Sequence, residues 1–245
     1  MQRWTCPGWV VVPHKLKPIG NEYHTICCGL SSVLYQVELV KGKDRLRQLL
    51  HPEFSDHGKT VGLLLHLTHP LWNIGKVVVM DSGFCVLEGL HHLKAQGVYA
   101  FAQIKKRRHW PKDVPSDTIK KYFSDKEVGD IDALHGSLHG TPFHIFCMKE
   151  PNYVAMIMST HSTLNEVEDH AMQWTFKNAA SKKVTNDLKY MEPFSLHYHF
   201  HNQIDDHNNC HHSPISLKET WAIKWWKNQV FPFLLTVTEV NAYHM

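Results

Sequence analysis

The stretch GKVVVMDSGFCVLEGLHHLKAQGVYAFAQI, residues 75–104, constrains the fold more than any other part of this chain. Val77, Val78 and Val79 form a continuous β-branched run of the kind that fills a buried strand, and the run ends in Asp81. Ser82-Gly83 supplies a turn. The segment after it has Leu87, Leu90 and Leu93 on one helical side and Gly97 as its stop. VYAFAQI, residues 98–104, returns as a strand. Strand, helix and strand in this order predict a β-α-β unit, and therefore an α/β chain with an acid at the carboxyl end of a sheet strand.

The flanking segments extend that reading. HTICCGLSSVLYQVELV, residues 24–40, alternates on both sides of Gly-Leu-Ser-Ser and predicts two strands joined by a turn. TVGLLLHLTHPLW, residues 60–72, predicts a helix stopped near Pro70. TPFHIFCMK and NYVAMIMST predict a hairpin turning near Pro151-Asn152, whereas residues 163–187 read as polar and poorly defined. A helix is expected from Pro193 to His212. A second, with Trp226, Val230, Phe233, Leu234 and Val237 at helical spacing and a kink at Pro232, is expected to close the sequence. The 245 residues suit one large domain, or one domain carrying an insertion. The shift to basic, proline-punctuated sequence at KKRRHWPKDVPSD, residues 105–117, marks where an insertion begins.

Composition excludes little. A net charge of +3 permits a nucleic-acid partner without demanding one. No segment is long and apolar enough to span a bilayer, so no membrane partner is expected. The opening residues lack a signal peptide's apolar core, and the expectation is a soluble intracellular chain. Six cysteines without a CxxC pair point to reduced thiols rather than a zinc ribbon or a redox motif.

Three constellations could carry chemistry. Asp81 has two readings: a ligand-binding carboxylate in the crevice above the sheet, or a helix N-cap accepting backbone N–H bonds. Asp205 and Asp206 are adjacent, and side chains one residue apart on a helix diverge by about 100°. At most one points inward with Phe200 and Ile204; the bland reading is an exposed acidic pair. His207 and His211 have a zinc-compatible spacing of four but no third ligand at the right distance, and helix-end histidines titrating near neutral pH are the plainer reading. The basic run Lys105, Lys106, Arg107 and Arg108 could hold phosphates or act as a nuclear-import signal, while a solvated loop is the commoner meaning of such a run.

Taken in order, these blocks resemble the PiggyBac-type transposases. VVVMDSGFCVLEGLHHLKAQGVYAFAQIKKRR is similar to the block around that family's second catalytic aspartate, HNQIDDHNN to the block around the third, and TWAIKWWKNQVFPFLLTVTEVNAYHM to the closing block of tryptophans and an Asn-Ala pair. PHKLKPIGNEYHTICCGLSSVLYQVELVKG looks like the region of the first aspartate. The resemblance implies a ribonuclease-H-like mixed sheet flanked by helices. Residues 9–107 would form the first part of the core, 108–192 an insertion domain, and 193–245 the helices that complete the core. It implies Mg²⁺-dependent cutting and joining of DNA, a nuclear rather than cytoplasmic location, and a homodimer.

On this reading Asp81 and Asp205 are the second and third catalytic aspartates and the Mg²⁺ ligands. The further aspartate that some members carry is replaced by Asn208, with Asp206 one residue past Asp205. The first aspartate is missing: no Asp occurs from His24 to Lys43, and Cys28 stands at its position. A thiol is a soft ligand and a poor substitute for a carboxylate on a hard ion. The expectation is a truncated, catalytically impaired transposase-derived protein that retains DNA binding through Lys105–Arg108 and the Trp225-Trp226 helix. The alternatives are an active nuclease using a displaced acid such as Glu38, and a non-enzymatic interaction module.

Overall fold

The computed structural model describes residues 9–11, 13, 19–39, 52–104, 116–161, 166–177, 180–211 and 226–245. It divides into two compact units. One comprises residues 1–68 with 202–245, the other residues 69–201.

The second unit is built on the β-α-β motif. β5 (Val77–Met80) and β6 (Tyr99–Gln103) are parallel neighbours, joined through α2 (Leu87–Ala95). β6 then pairs antiparallel with β9 (Val154–Ser159), β9 with β8 (Thr141–Lys149), and β8 with β7 (Ile131–Leu138). The result is a five-stranded mixed sheet in the order β5-β6-β9-β8-β7. The predicted hairpin, β8 and β9, thus continues the sheet that carries Asp81. β7 was not foreseen, because IDALHGSL dilutes its alternation with His, Gly and Ser.

α2 ends as its sequence predicts. Gly97 has φ +69°, its N–H reaches the Lys94 carbonyl, and the Val98 N–H reaches that of Leu93, so two otherwise orphaned carbonyls are satisfied. Leu93 and Val98 are both fully buried beneath this stop. Val78 and Val79 are half-buried between layers. One face of the sheet is covered by α4 (Glu192–Phe200), whose Phe194 packs with Phe101, Phe146, Met148, Ala155 and Ile157. Truncating such a ring to Ala costs about 3–5 kcal/mol. α2 lies on the opposite face: His91 contacts Thr141, five residues along β8 from Phe146.

This unit also holds α3 (Ser116–Tyr122) and a long antiparallel hairpin of β10 (Glu166–Lys177) and β11 (Lys183–Met191). The hairpin corrects the expectation of ill-defined structure over residues 163–187. MQWTFK does alternate, but the charged EVED before it and the lysines after it mask the pattern.

In the first unit, β3 (Tyr23–Cys27) and β4 (Leu34–Leu39) form the predicted hairpin, a two-stranded sheet of its own, and β1 (Trp9–Val11) pairs with β2 (Ile19–Asn21). α1 (Lys59–Thr68) is buried from Val61 to Thr68 with no polar face, as its leucine run implies. The single helix expected over residues 193–212 is two, α4 and α5 (Gln203–His211), interrupted at His201-Asn202. α6 (Trp226–His244) runs through Pro232. Among its described side chains Pro232, Thr236, Val237 and Val240 are buried and Leu234 is 47% exposed, so the inward stripe is rotated from the predicted one.

Candidate functional site

Asp81 follows directly on β5, at the carboxyl end of an edge strand of the mixed sheet. Its side chain is exposed, and Oδ1 accepts the Gly83 N–H at 2.7 Å. This closes an Asx turn. It is not the helix N-cap: α2 begins six residues later, with Val86 at that place and no side-chain cap. The second carboxylate oxygen is not used in the turn.

Asp205 and Asp206 lie in the first turn of α5, and both are exposed. Negative charge there complements the helix dipole. The inward residue of α5 is neither acid but His207, which is fully buried. Its Nδ1 donates to the Ser32 carbonyl at 3.0 Å. Burial, and then the nearby His244, hold its imidazole below its usual pKa, against the upward pull of the Ser32 bond. One turn earlier on α5, Gln203 accepts a 2.5 Å bond from the Ser32 hydroxyl. Ser32 therefore fixes α5 to the β3–β4 connection by two bonds. No hydrophobic pattern marks this clamp, because Asp206 and Asn208 flank His207 with polar side chains. The only usable signal was the four-residue spacing of Gln203 and His207.

The β3–β4 connection also holds Cys28. The Ser32 N–H reaches the Cys28 carbonyl at 2.9 Å, and the Cys28 N–H reaches Val33 at 2.8 Å. The turn wraps around the thiol. Hydrogen bonds from Ser31, side chain first and then backbone, with the Leu30 backbone and the Tyr35 hydroxyl, bring it down to about 7. Its neighbour Cys27 is pushed by burial up to about 11.

Glu38 is committed elsewhere. It lies opposite His24 on β3, and its carboxylate is 3.5 Å from the Nε2 of His66 on α1. Asn241 of α6 bonds both backbone groups of Leu34, the first residue of β4, at 2.9 and 3.1 Å. The basic run Lys105, Lys106, Arg107 and Arg108 and Trp225 lie outside the described residues, as does the side chain of Trp226.

The family model described as Transposase IS4 matches residues 2–243. This chain belongs to that DDE transposase family. No curated protein matches it. Among solved structures, it is similar to the piggyBac transposase seen in a cryo-EM synaptic complex with hairpin DNA. The TM-score is 0.65 at 12% identity, over 98% of this chain and 43% of that one. The chain thus spans less than half the length of that transposase. The resemblance read from the sequence is borne out at the level of family and of fold, a mixed sheet flanked by helices.

DDE transposases use divalent metal. Cys28 and Asp205 belong to one unit of this chain and Asp81 to the other. Among the described residues no three His, Cys, Asp or Glu side chains gather to hold a metal ion. At the three positions that the resemblance assigns, Asp81, Asp205 and Cys28, the donors are two carboxylates and a thiol. That set does not fit a hard ion such as Mg²⁺, which takes oxygen ligands.

Proposed function

We propose that this chain is a transposase-derived protein of the PiggyBac type that has lost efficient metal-dependent DNA cutting and keeps a DNA-binding role. The observation that carries this reading is Cys28. It follows β3 directly, where the resemblance sets the first catalytic aspartate, and no aspartate lies between His24 and Lys43 to replace it. Asp81 and Asp205 remain as the second and third catalytic positions. With one of three carboxylates gone, Mg²⁺ affinity and charge balance both fall.

Glu38 does not repair the loss. It pairs with His24, four residues before Cys28, which is about 13 Å along an extended strand. Its carboxylate is also engaged by His66. DNA as the partner rests on the family and on the basic run Lys105–Arg108, and a nuclear location and a homodimer follow from the same reading. Of the expected division into a core over 9–107 and 193–245 and an insertion over 108–192, the stretch 131–159 supplies β7, β8 and β9 to the sheet of β5 and β6, so it belongs with that sheet and not to a separate insertion.

The test is calorimetric titration of the purified chain with Mg²⁺ and Mn²⁺, alongside DNA nicking and DNA binding. Millimolar or weaker metal binding that Asp205→Ala leaves unchanged supports the reading, as does a gain of affinity in Cys28→Asp. Metal-dependent nicking that disappears in Asp81→Ala would overturn it in favour of an active nuclease. Salt-dependent DNA binding should lose up to about four units of log–log salt slope when the four basic residues are replaced by Ala. If the chain binds no DNA, the interaction-module reading replaces this one.

A further inference from the structure

β7 and β8 carry a histidine pair that the transposase reading does not use. His135 and His144 are directly opposed in the antiparallel register, and their Nδ1 atoms face each other at 2.5 Å. The rings lie 4.7 Å apart between centroids and nearly perpendicular, at 84°. Two neutral imidazoles cannot both present a lone pair at that separation. Either one Nδ1 carries a hydrogen and donates it to the other, or both lone pairs are turned to a bound cation.

The scaffold also suits the second. The two strands are joined by a two-residue turn, His139-Gly140, with φ of +48° and +79°. Turns of this type match the twist of the strands and fix their register. On its other side β8 is held by β9, with His144 opposite Ser159. The two Cβ atoms are therefore set close together before any ligand arrives, and His135 is exposed while His144 is half-buried. Zinc–imidazole bonds are about 2.0–2.1 Å, so tetrahedral chelation needs nitrogens roughly 3.3 Å apart. Ring rotation of less than 1 Å supplies that from the observed spacing.

We infer that His135 and His144 form a cross-strand, two-imidazole site for a borderline divalent transition ion, with water completing the coordination. Two nitrogen donors select Zn²⁺, Ni²⁺ or Cu²⁺ over Mg²⁺ or Ca²⁺. Burial, and then the charges of His135 and of Lys94 on α2, disfavour positive charge at His144; the Lys94 ammonium itself is engaged by the Thr160 carbonyl at 2.8 Å and the Tyr99 ring at 4.8 Å. Only an ion with strong intrinsic affinity for imidazole binds against that charge. Such an ion would staple the edge strand β7 to the sheet.

The experiment is Cu²⁺ binding followed by electron paramagnetic resonance, with Zn²⁺ titration by calorimetry, on the full chain and on His135→Gln, His144→Gln and His139→Gln. The expected result is one site of micromolar affinity whose spectrum shows two nitrogen ligands. It weakens roughly tenfold or more in either of the first two variants and is unchanged in the third. Zn²⁺ should raise the Tm of the natural chain and of His139→Gln but not of His135→Gln, whose exposed position makes misfolding no explanation. Equal binding by all four proteins, no binding tighter than millimolar, or a loss in His139→Gln as large as in the others overturns the assignment and leaves only a shared proton.

Discussion

Asn241 treats Leu34 as a neighbouring strand would. Its carboxamide oxygen accepts the Leu34 N–H at 2.9 Å and its amide nitrogen donates to the Leu34 carbonyl at 3.1 Å. One side chain near the end of α6 thereby closes both backbone groups at the start of β4, more than two hundred residues earlier. The Asn-Ala pair that looks like a family signature in the sequence has, in the structure, a bonding role.

Asn241→Ala should destabilise the chain by about 2 kcal/mol, because it leaves a part-buried donor and acceptor without partners. Asn241→Asp keeps an acceptor for the Leu34 N–H but sets a negative oxygen against the Leu34 carbonyl, and should cost at least as much. Urea unfolding of the three proteins measures both. An unchanged midpoint in Asn241→Ala would show that water replaces the amide without loss.

The β-α-β unit was legible because its two periods contrast sharply: three consecutive valines, then leucines three residues apart, then Gly97 to end the helix. The β10–β11 hairpin was not, since charges at its ends hide the alternation of MQWTFK. The same difference runs through the site. Asp81 could be placed at a strand's end from local pattern. The role proposed for Asp205 rests on resemblance alone, as nothing in NQIDDHNNCHH distinguishes an inward from an outward side chain. The inward residue is His207, whose partner Ser32 lies 175 residues away in sequence. A polar helix held by one buried imidazole has no hydrophobic signature to read.

Asp81 has a structural duty that can be separated from any catalytic one. Asparagine also accepts the Gly83 N–H, so Asp81→Asn should leave stability within about 0.5 kcal/mol of the natural chain. Asp81→Ala should lose about 0.5–1.5 kcal/mol with the bond. Any function that needs the negative charge disappears in both. Thermal unfolding beside metal or DNA binding distinguishes the two roles.

Cys28 should be the first described thiol to react. Its hydrogen bonds stabilise the thiolate down to about 7, whereas burial pushes Cys85 and Cys147 up to about 12 and Cys27 up to about 11. The lowered value means that reactivity rises as pH increases through about 7 and levels off above it. Iodoacetamide labelling read by mass spectrometry between pH 6 and 9 should follow that curve at Cys28. Ser31→Ala removes the largest contribution and should move the midpoint upward. Labelling of Cys28 that climbs only near pH 9 in the natural chain would show that the turn does not stabilise the thiolate.

Gly136 admits a larger residue only if the Phe143 ring shifts. It lies opposite Phe143 in the β7–β8 register, and a Cβ built on it would stand 2.4 Å from the Phe143 Cζ. The ring covers the glycine, and the same hairpin sets His135 against His144 one rung away. Gly136→Ala must push the ring aside and should cost about 1–3 kcal/mol, the usual range for overpacking. Phe143→Leu in the same chain makes room for the new methyl, so the double variant should recover part of that loss, with a coupling energy of about 0.5–3 kcal/mol. Chemical denaturation of the four proteins of this cycle gives the coupling directly. Simple additivity would mean that Phe143 swings away from Gly136 at no cost.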